Sequence, residues 1–244
     1  DLLDEAEKLN EFNLVKEISQ QLPIYTLSQI LGIPESDRQK LTEWMEFLEL
    51  AQYFTLEQIK QNEEGITDTT PDPALVEMFN NMIDEMLDYG RFILNKKKDK
   101  PENDLLSAIA NAKIEGEDLS QEFLDGSWLL IVFAGNDTTR NTMSGGIKLL
   151  NENPQQKQLF LDNFERVTGL INETVRCVSP VIHMRRTTLE ETIIGDQKIG
   201  PFEKIALWYG AANRDPEIFD DPDKFNIMRT NADQHLAFGI GRHT

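Results

Sequence analysis

Cysteine, basic residues and long apolar runs are all scarce in this chain of 244 residues. Its one cysteine, Cys177, excludes an internal disulfide framework and is typical of a reducing compartment, so we expect a cytoplasmic protein. The 43 acidic residues outnumber the 24 basic ones, and the net charge of −19 argues against nucleic acid, whose phosphates are bound by basic patches. No apolar run reaches the length of a membrane span.

What remains is an ordinary globular composition, with 39% hydrophobic and 27% charged residues. Apolar residues at helical spacing predict a helical part over residues 1–178, including a long helix from about 121 to 150. Over residues 179–244 the pattern changes to short strands and loops. We therefore expect a mostly α fold with a small β part, in a single domain. The lysine run at 96–98 we interpret as a solvated helix end, where cations suit the helix dipole, and a patch that touches a membrane is the weaker alternative.

A polar segment interrupts the most apolar stretch of the long helix. Residues 134–139 read Ala-Gly-Asn-Asp-Thr-Thr, directly after the apolar run 128–133. A glycine inside a helix costs about 1 kcal/mol relative to alanine, and a buried acid costs more unless it has a partner. Such a segment is either a set of satisfied structural bonds, since Ser and Thr often bond a carbonyl one turn earlier, or part of a functional site.

Further motifs follow in the second half of the chain. Glu173 and Arg176 lie at i, i+3 on a helix from about 165 to 177, where they share a face and can form a bidentate pair. Alone, such a pair is usually a surface salt bridge that adds little stability. Phe-Gly-Ile-Gly-Arg-His at 238–243 predicts a tight loop, and Ala-Ala-Asn-Arg-Asp-Pro stands at 211–216.

In this order the segments resemble those of the cytochrome P450 haem-thiolate monooxygenases, and the resemblance extends over nearly the whole chain. It implies a mostly helical P450 fold and a haem whose iron is bound by a cysteine thiolate. In the family that cysteine directly follows the position of Thr244. We therefore interpret the chain as an internal fragment, truncated at both ends, and expect the fragment alone to be inactive. Cys177 does not match the ligand position, and we interpret it as a buried apolar cysteine.

The resemblance assigns roles to residues of the polar segment. Asp137 and Thr138 match the family's acid–alcohol pair, in which the hydroxyl hydrogen-bonds the dioxygen and the acid relays protons from solvent. Ala134 and Gly135 match the oxygen-binding groove, where small residues allow the helix to bulge over the haem. The residues that would face the substrate are Leu130, Ala134, Val181 and Ile182.

The resemblance also implies contacts with the haem and a structural triad. The expected cofactor contacts are Arg186, Phe238, Gly239, Gly241 and His243. Two of them, Arg186 and His243, would bond the haem propionates. The triad would hold the loop that shapes the thiolate pocket, and its members are Glu173, Arg176 and Arg229.

Three residues near these positions stay open. Arg185 competes with Arg186 for the propionate, and a solvated arginine pair is the alternative for both. His183 and His235 lack a Cys/His/Asp cluster with metal-ligand spacing around them. We therefore interpret both histidines as packing or haem-edge residues.

The function that the resemblance implies is haem-dependent monooxygenation, with O₂, of a hydrophobic small molecule such as an alkane, a terpenoid or a steroid-like compound. Electrons would come from a ferredoxin-type partner and its reductase, and the enzyme would be a monomer. Because ferredoxins are usually acidic, a local basic patch would have to form despite the net charge of −19. The alternatives are a peroxide-using peroxygenase and a haem-free binding scaffold of the same fold. The Asp137–Thr138 pair favours oxygen activation, and a cysteine after Thr244 would exclude the scaffold.

Overall fold

The computed structural model describes residues 2–48 and 73–241. Contacts within the chain divide it into two compact units, of which the first ends at Asp137 and the second begins at Thr138. The boundary falls inside one long helix. None of the described helices is long and apolar enough to cross a membrane.

Unit 1 is built almost entirely from helices. These are α1 (Leu2–Glu7), α2 (Gln21–Leu31), α3 (residues 38–48), α4 (Pro73–Asp99), α5 (Leu105–Ala110) and the first half of α6 (Gln121–Glu152). A π-helical turn at Val15–Ser19 precedes α2, and a 3₁₀ turn at Glu35–Asp37 follows it. A two-stranded antiparallel hairpin joins α5 to α6, with strands β1 (Lys113–Ile114) and β2 (Glu117–Asp118).

Local chemistry explains two of the helix ends in unit 1. Helix α2 ends at Gly32, whose φ of 68° lies in the left-handed region and whose N–H bonds carbonyls of the last turn. Helix α5 begins after Asp104, whose side chain accepts a hydrogen bond from the Ser107 N–H at 2.8 Å. Both ends therefore follow rules that can be read from the sequence.

The core of unit 1 lies where α2, α3, α4 and α5 meet the first half of α6. The Nε1–H of Trp128 on α6 donates to the Met86 carbonyl on α4 at 2.8 Å, which ties the two longest helices together. The buried apolar cluster comprises Ile24, Leu31, Ile33, Leu41, Trp44, Met45, Met86, Tyr89, Ile93, Leu94, Leu106, Ala110, Trp128 and Val132.

Unit 2 combines helices with small antiparallel sheets. After the second half of α6 come α7 (Pro154–Asp162), α8 (Val167–Val178), β3 (His183–Thr187), β4 (Thr192–Ile194), β5 (Gln197–Ile199), β6 (Lys204–Trp208) and α9 (Tyr209–Ala212). Strand β3 pairs with β6, and β4 pairs with β5. Glycines at 145 and 146 let α6 approach α8 closely, because added Cβ atoms there would meet Val178 and Thr174.

The mostly α fold with a small β part is confirmed, and the structure adds the short β1–β2 hairpin. The interpretation of lysines 96–98 as a solvated helix end is wrong for Lys97, which is only 4% exposed. Its Nζ lies 2.6 Å from Asp104 Oδ2 and 2.5 Å from Glu102 Oε2. Helix α5 packs against α4, and this packing brings the capping carboxylate of Asp104 onto the lysine. The assignment of the chain to a single domain stays a prediction.

Candidate functional site

Around the polar segment, α6 has one buried face and one exposed face. Trp128, Val132 and Asn136 recur at i+4 intervals on the buried face, and each is at most 2% exposed. On another face Leu130 is 66% exposed, and Ala134 one turn later is exposed as well. Within unit 1, α6 therefore has one stripe packed into the core and one apolar stripe facing outwards.

Gly135 has a packing reason for being glycine. A Cβ added there would lie 3.1 Å from Leu27 Cδ1 on α2, which is tighter than normal van der Waals contact. Helix α6 is also an unbroken α-helix from Gln121 to Glu152, without the bulge that the resemblance allows at this point. The lack of a side chain at Gly135 thus lets Leu27 of α2 pack against α6. The oxygen-groove role of Ala134 and Gly135 stays a prediction.

Asn136 is a buried polar residue of this segment to which the sequence assigned no role. Its side chain is 2% exposed, and within the described part of the chain its Oδ1 has no hydrogen-bond partner. A buried carbonyl oxygen without a partner costs about 1–3 kcal/mol unless an ordered water satisfies it. The signal for it was present, since an amide directly before an acid in a core helix needs an explanation.

The acid and the hydroxyl of the polar segment, Asp137 and Thr138, are the residues on either side of the boundary between the two units. Asp137 and Thr138 are both half-buried. One turn further on, the Thr142 hydroxyl donates to the Thr138 carbonyl at 2.8 Å, which is the back-bonding expected of a threonine inside a helix. The Thr142 hydroxyl therefore makes a structural bond to the backbone of its own helix.

In unit 2 the structure brings Glu173, Arg176 and Arg229 together. Arg176 Nε and Nη2 donate to the two carboxylate oxygens of Glu173 at 2.8 and 2.9 Å, which is a bidentate pair. Arg229 Nε lies 3.1 and 3.2 Å from the same two oxygens. Glu173 and Arg176 are fully buried, and the Arg229 side chain is 6% exposed. The pair is therefore not a surface salt bridge.

The remaining donors of the two arginines bind the backbone of a loop. Arg176 Nη1 donates to the carbonyls of Asn213 at 2.6 Å and Pro222 at 2.8 Å. Arg229 Nη1 donates to the Asp220 carbonyl at 2.6 Å. The network thus holds the irregular loop before Arg229 by its main chain.

Two members of this network had no assigned role from the sequence. Asn213 is fully buried, donates through Nδ2 to Ser179 Oγ at 2.9 Å and accepts the Leu236 N–H through Oδ1 at 2.6 Å. Phe219 is 1% exposed, and the Arg176 guanidinium lies 5.0 Å from its ring centroid. Asn213 lies in the motif at 211–216, but the partners of both residues are far away along the chain.

The glycine loop near residue 240 has the backbone that its sequence predicts. Gly239 and Gly241 have φ of 82° and 92°, a region that L side chains rarely adopt. A Cβ on Gly239 would also lie 3.3 Å from the Tyr209 hydroxyl. Phe238, between Ala237 and this turn, is 69% exposed. The loop therefore presents an aromatic ring on a tightly turned backbone, whereas His243 lies outside the described residues.

Strand β3 separates the two arginines whose roles were open. Successive side chains of a strand point to opposite faces, so Arg185 and Arg186 cannot both face one ligand. On the Arg185 face, the His183 ring stacks on Trp208 at 4.8 Å between centroids. Ile182, just before the strand, is 61% exposed, and Val181 is half-buried. His183 therefore contacts Trp208, and its assignment as a packing or haem-edge residue stays a prediction.

The described residues contain few groups that could bind a metal or the iron of a haem. No group of three or more His, Cys, Asp or Glu that could hold a metal occurs in residues 2–48 and 73–241. Burial raises the pKa of the Cys177 thiol to about 11, so it is a neutral thiol and not a thiolate. His235 accepts the Ala237 N–H through Nδ1 at 3.3 Å. The described residues therefore fit the edge of a haem, through Arg186 and the glycine loop, but they do not supply a thiolate for its iron.

Comparison with known proteins identifies similar chains. A family model described as Cytochrome P450 matches residues 160–244. Linalool 8-monooxygenase from Pseudomonas putida is 32% identical over 233 residues, covering 96% of this chain and 53% of that protein. Cytochrome P450 109 from Bacillus spizizenii is 31% identical over 245 residues, covering 99% of this chain and 56% of that protein. The chain thus spans about half the length of the curated relatives that it matches.

A solved structure shows the same architecture. CYP109E1 from Bacillus megaterium in complex with testosterone matches with a TM-score of 0.84 at 30% identity, covering 99% of this chain and 61% of that chain. This similarity confirms the fold expected from the sequence. It covers both units of the chain.

Proposed function

Because the chain belongs to the cytochrome P450 family, we propose that the full-length protein is a haem-dependent monooxygenase that hydroxylates a hydrophobic small molecule. The observation that carries the proposal is the acid and hydroxyl pair, Asp137 and Thr138, on α6. It directly follows a helical segment with an exposed apolar stripe that includes Leu130 and Ala134. An acid beside an apolar surface is the arrangement that proton delivery to a hydrophobic reaction site requires.

The haem supplies the redox chemistry that activates dioxygen, while the protein supplies binding, orientation and protons. The Arg186 guanidinium is exposed on β3 and suits a propionate carboxylate, because its planar fork can donate two hydrogen bonds. The loop from Phe238 to Gly241 would hold the haem through its tightly turned backbone and its exposed phenylalanine. The Glu173–Arg176–Arg229 network holds the preceding loop, so we assign it a positioning role.

The proton path is proposed to run through two side chains of α6. The Asp137 carboxylate takes a proton from solvent and passes it on, and Thr138 Oγ1 donates a hydrogen bond at the reacting oxygen. The unpartnered Oδ1 of Asn136 supports a bound water in this segment, since a buried acceptor is normally satisfied.

The substrate class follows from exposed apolar side chains and from the relatives. Leu130 and Ile182 are 66% and 61% exposed, and a hydrophobic ligand would cover such side chains. We propose that Leu130, Ala134, Val181 and Ile182 contact it. The matched relatives include an enzyme named for linalool and a protein in complex with testosterone. A terpenoid, a steroid-like compound or an alkane is therefore the proposed substrate.

We further propose that electrons arrive from a ferredoxin-type protein with its reductase, and that the enzyme is a cytoplasmic monomer. The support is the family resemblance and the cysteine content, since one cysteine in 244 residues suits a reducing compartment. With a net charge of −19, an acidic donor would have to bind at a locally basic surface.

The test uses the full-length haem-loaded protein and a panel of terpenoids, steroids and alkanes. Product is measured with ferredoxin, ferredoxin reductase and O₂, with hydrogen peroxide alone, and with neither. We expect hydroxylated product that requires both the electron donors and O₂. Equal product from peroxide alone would instead identify a peroxygenase. Failure of the full-length protein to bind haem, judged by its reduced carbon monoxide difference spectrum, would leave only the scaffold alternative.

A further inference from the structure

A surface cleft of about 650 Å³ lies in unit 1, between the end of α2 and the end of α4. The α4 residues that line it recur at i, i+3, i+4 and i+7 and therefore share one face of the helix; they are Ile93, Lys96, Lys97 and Lys100. The Lys100 N–H donates to the Lys96 carbonyl at 3.0 Å, so the helical hydrogen-bond pattern includes the last of them. Two members of the lysine run at 96–98 thus lie at one cleft.

The charge of this cleft is opposite in sign to that of the chain. Three lysines and one glutamate, Glu102, are the charged residues that line it, whereas the whole sequence has 43 acidic and 24 basic residues. Within the part of the chain that the structure describes, Lys96 and Lys100 form no ion pair, and only Lys97 does. An anion at the cleft would therefore meet two cations that no neighbouring carboxylate neutralises.

The third lysine of the cleft already holds two carboxylates. Lys97 Nζ lies 2.6 Å from Asp104 Oδ2 and 2.5 Å from Glu102 Oε2. Gly32 makes room for the ion pair, because a Cβ there would collide with the Asp104 carboxylate and the Lys97 ammonium. The Asp104 side chain is 7% exposed, whereas that of Glu102 is 58% exposed. One carboxylate is thus fixed in the interior, and the other lies at the surface of the cleft.

Compensation of the helix dipole explains why lysines lie here, since cations stabilise the C-terminal end of a helix. It does not explain the second carboxylate, because Asp104 alone neutralises Lys97. The hydrogen bond to Lys97 lowers the pKa of Glu102, so the group at this place is a carboxylate anion. The Glu102 N–H donates to Ser107 Oγ at 2.9 Å, which holds the backbone in place whether or not the side chain stays on Lys97. The Glu102 carboxylate therefore occupies a position that another carboxylate could take.

The rest of the cleft is suited to a hydrocarbon chain. Ile33, Pro34 and Ile93 line it, and the two isoleucines are only 5% and 1% exposed. The aliphatic stems of Lys96 and Lys100 add apolar surface beside their charged ends. A volume of about 650 Å³ lies within the range of sites for small molecules. The cleft thus combines cations at one place with apolar surface at another.

We propose that this cleft binds a small organic carboxylate of the medium-chain fatty acid class. Its carboxylate contacts Lys97 in place of the Glu102 side chain, and Lys96 and Lys100 attract it from the rim. Its hydrocarbon chain lies against the isoleucines. None of the residues that line the cleft is proposed to contact the substrate of the monooxygenase, so this is a second ligand site, and it does not depend on the haem chemistry.

The test uses isothermal titration calorimetry with sodium octanoate and the full-length haem-loaded protein. A phenylimidazole bound to the haem iron blocks the substrate pocket, and the haem absorption spectrum shows that it stays bound during the titration. We expect one octanoate to bind per chain. Octanol, which has the same chain length without the charge, should bind several-fold more weakly.

Three variants assign this binding to the cleft. Glu102→Gln should bind octanoate several-fold more tightly, because the competing carboxylate charge is removed from Lys97. Lys96→Ala combined with Lys100→Ala should bind it several-fold more weakly. Lys98→Ala is the matched control, since Lys98 pairs with Asp118 and does not line the cleft, and it should bind as the wild type does. All of these side chains are exposed, and thermal unfolding checks that each variant is folded.

Each contrary outcome rejects the site. Equal binding of octanol and octanoate, equal affinities in all variants or no binding of octanoate would overturn it. Binding to vesicles of phosphatidylglycerol and phosphatidylcholine in equal parts, without binding of octanoate, would identify a lysine patch that contacts membranes instead. A preparation that hydroxylates its substrate but does not bind octanoate would overturn the second site and leave the monooxygenase standing. Octanoate binding in a preparation without hydroxylation would support the site and count against the proposed function.

Discussion

Glu173 and Arg229 are 56 residues apart in the chain, yet the guanidinium Nε lies within 3.2 Å of both carboxylate oxygens. The same carboxylate also receives Arg176, so two cations share one buried anion. Other N–H groups of each arginine donate to carbonyl oxygens of the loop, so the triad also fixes the backbone of that loop. Removing one member therefore affects both charge balance and loop position.

Glu173→Ala should destabilise the full-length protein by roughly 3–5 kcal/mol, because it leaves two buried guanidinium groups without their anion. Haem-loaded protein should be lost as well, since the loop carbonyls lose their fixed donors. Chemical denaturation and the haem-to-protein absorbance ratio measure the two effects. Lys8→Ala is the control, since its pair with Glu5 is exposed and should change stability by less than about 1 kcal/mol. Equal effects of the two substitutions would contradict a buried triad.

Lys97→Ala should cost a similar amount, roughly 3–5 kcal/mol of stability, because the buried carboxylate of Asp104 loses its cation. The double variant Lys97→Met with Asp104→Asn should recover most of the loss, since asparagine can still cap α5 and no charge remains buried. Urea unfolding measures all three proteins. Lys98→Ala provides the neighbouring comparison, because its pair with Asp118 is about half exposed. If Lys97→Ala resembled Lys98→Ala, the buried ion pair would be disproved.

Gly90→Ala should destabilise unit 1 by roughly 1–3 kcal/mol although alanine is the better helix former, because the new Cβ meets the Trp128 ring. Gly126→Ala is the matched substitution on α6, where no atom lies within 4 Å of the added Cβ. It should stabilise by up to about 1 kcal/mol. Thermal unfolding followed by tryptophan fluorescence measures both, and a stabilised Gly90→Ala would show that the ring contact is not tight.

Thr138→Ala should still bind haem and substrate, because neither requires the hydroxyl. Electron consumption should continue while hydroxylated product falls several-fold, with the difference appearing as hydrogen peroxide and water. Asp137→Asn should instead slow oxygen consumption itself, by on the order of 10²-fold, because proton delivery is impaired. The measurement is product formed per reducing equivalent for each variant. Unchanged coupling in Thr138→Ala would reduce the pair to helix packing.

His235 should contribute a pH dependence below neutrality. Burial lowers the pKa of this histidine in the folded state, so the unfolded chain binds its proton more readily. Its stabilising contribution is therefore complete above the unfolded pKa of about 6.5 and is lost as the pH falls towards the lower folded pKa. The free energy of unfolding of His235→Gln should therefore change less with pH between neutrality and a pH of about 5. Urea midpoints at matched pH values for both proteins decide it, and parallel curves would refute the claim.

The spacing of residues in the sequence is enough to predict the helices and several motifs of this protein. The helix periodicity, the i, i+3 placement of Glu173 and Arg176 and the two left-handed glycines of the terminal loop depend only on residues a few positions apart. A helix with 3.6 residues per turn fixes which side chains share a face, whatever packs against it. The order of these motifs along the chain was then enough to indicate the family.

Tertiary structure alone decided what those side chains meet. Nothing local distinguishes Lys97 from the exposed Lys98, and its burial depends on Asp104 arriving from another helix. Asn213 likewise acquires its role from Ser179 and Leu236. The rings of Trp44, Tyr89 and Trp128 come together from three helices, although they lie 39 to 84 positions apart in the chain. Such contacts arise from the packing of whole apolar faces, a property of every helix involved at once, and residue spacing in the sequence does not determine it.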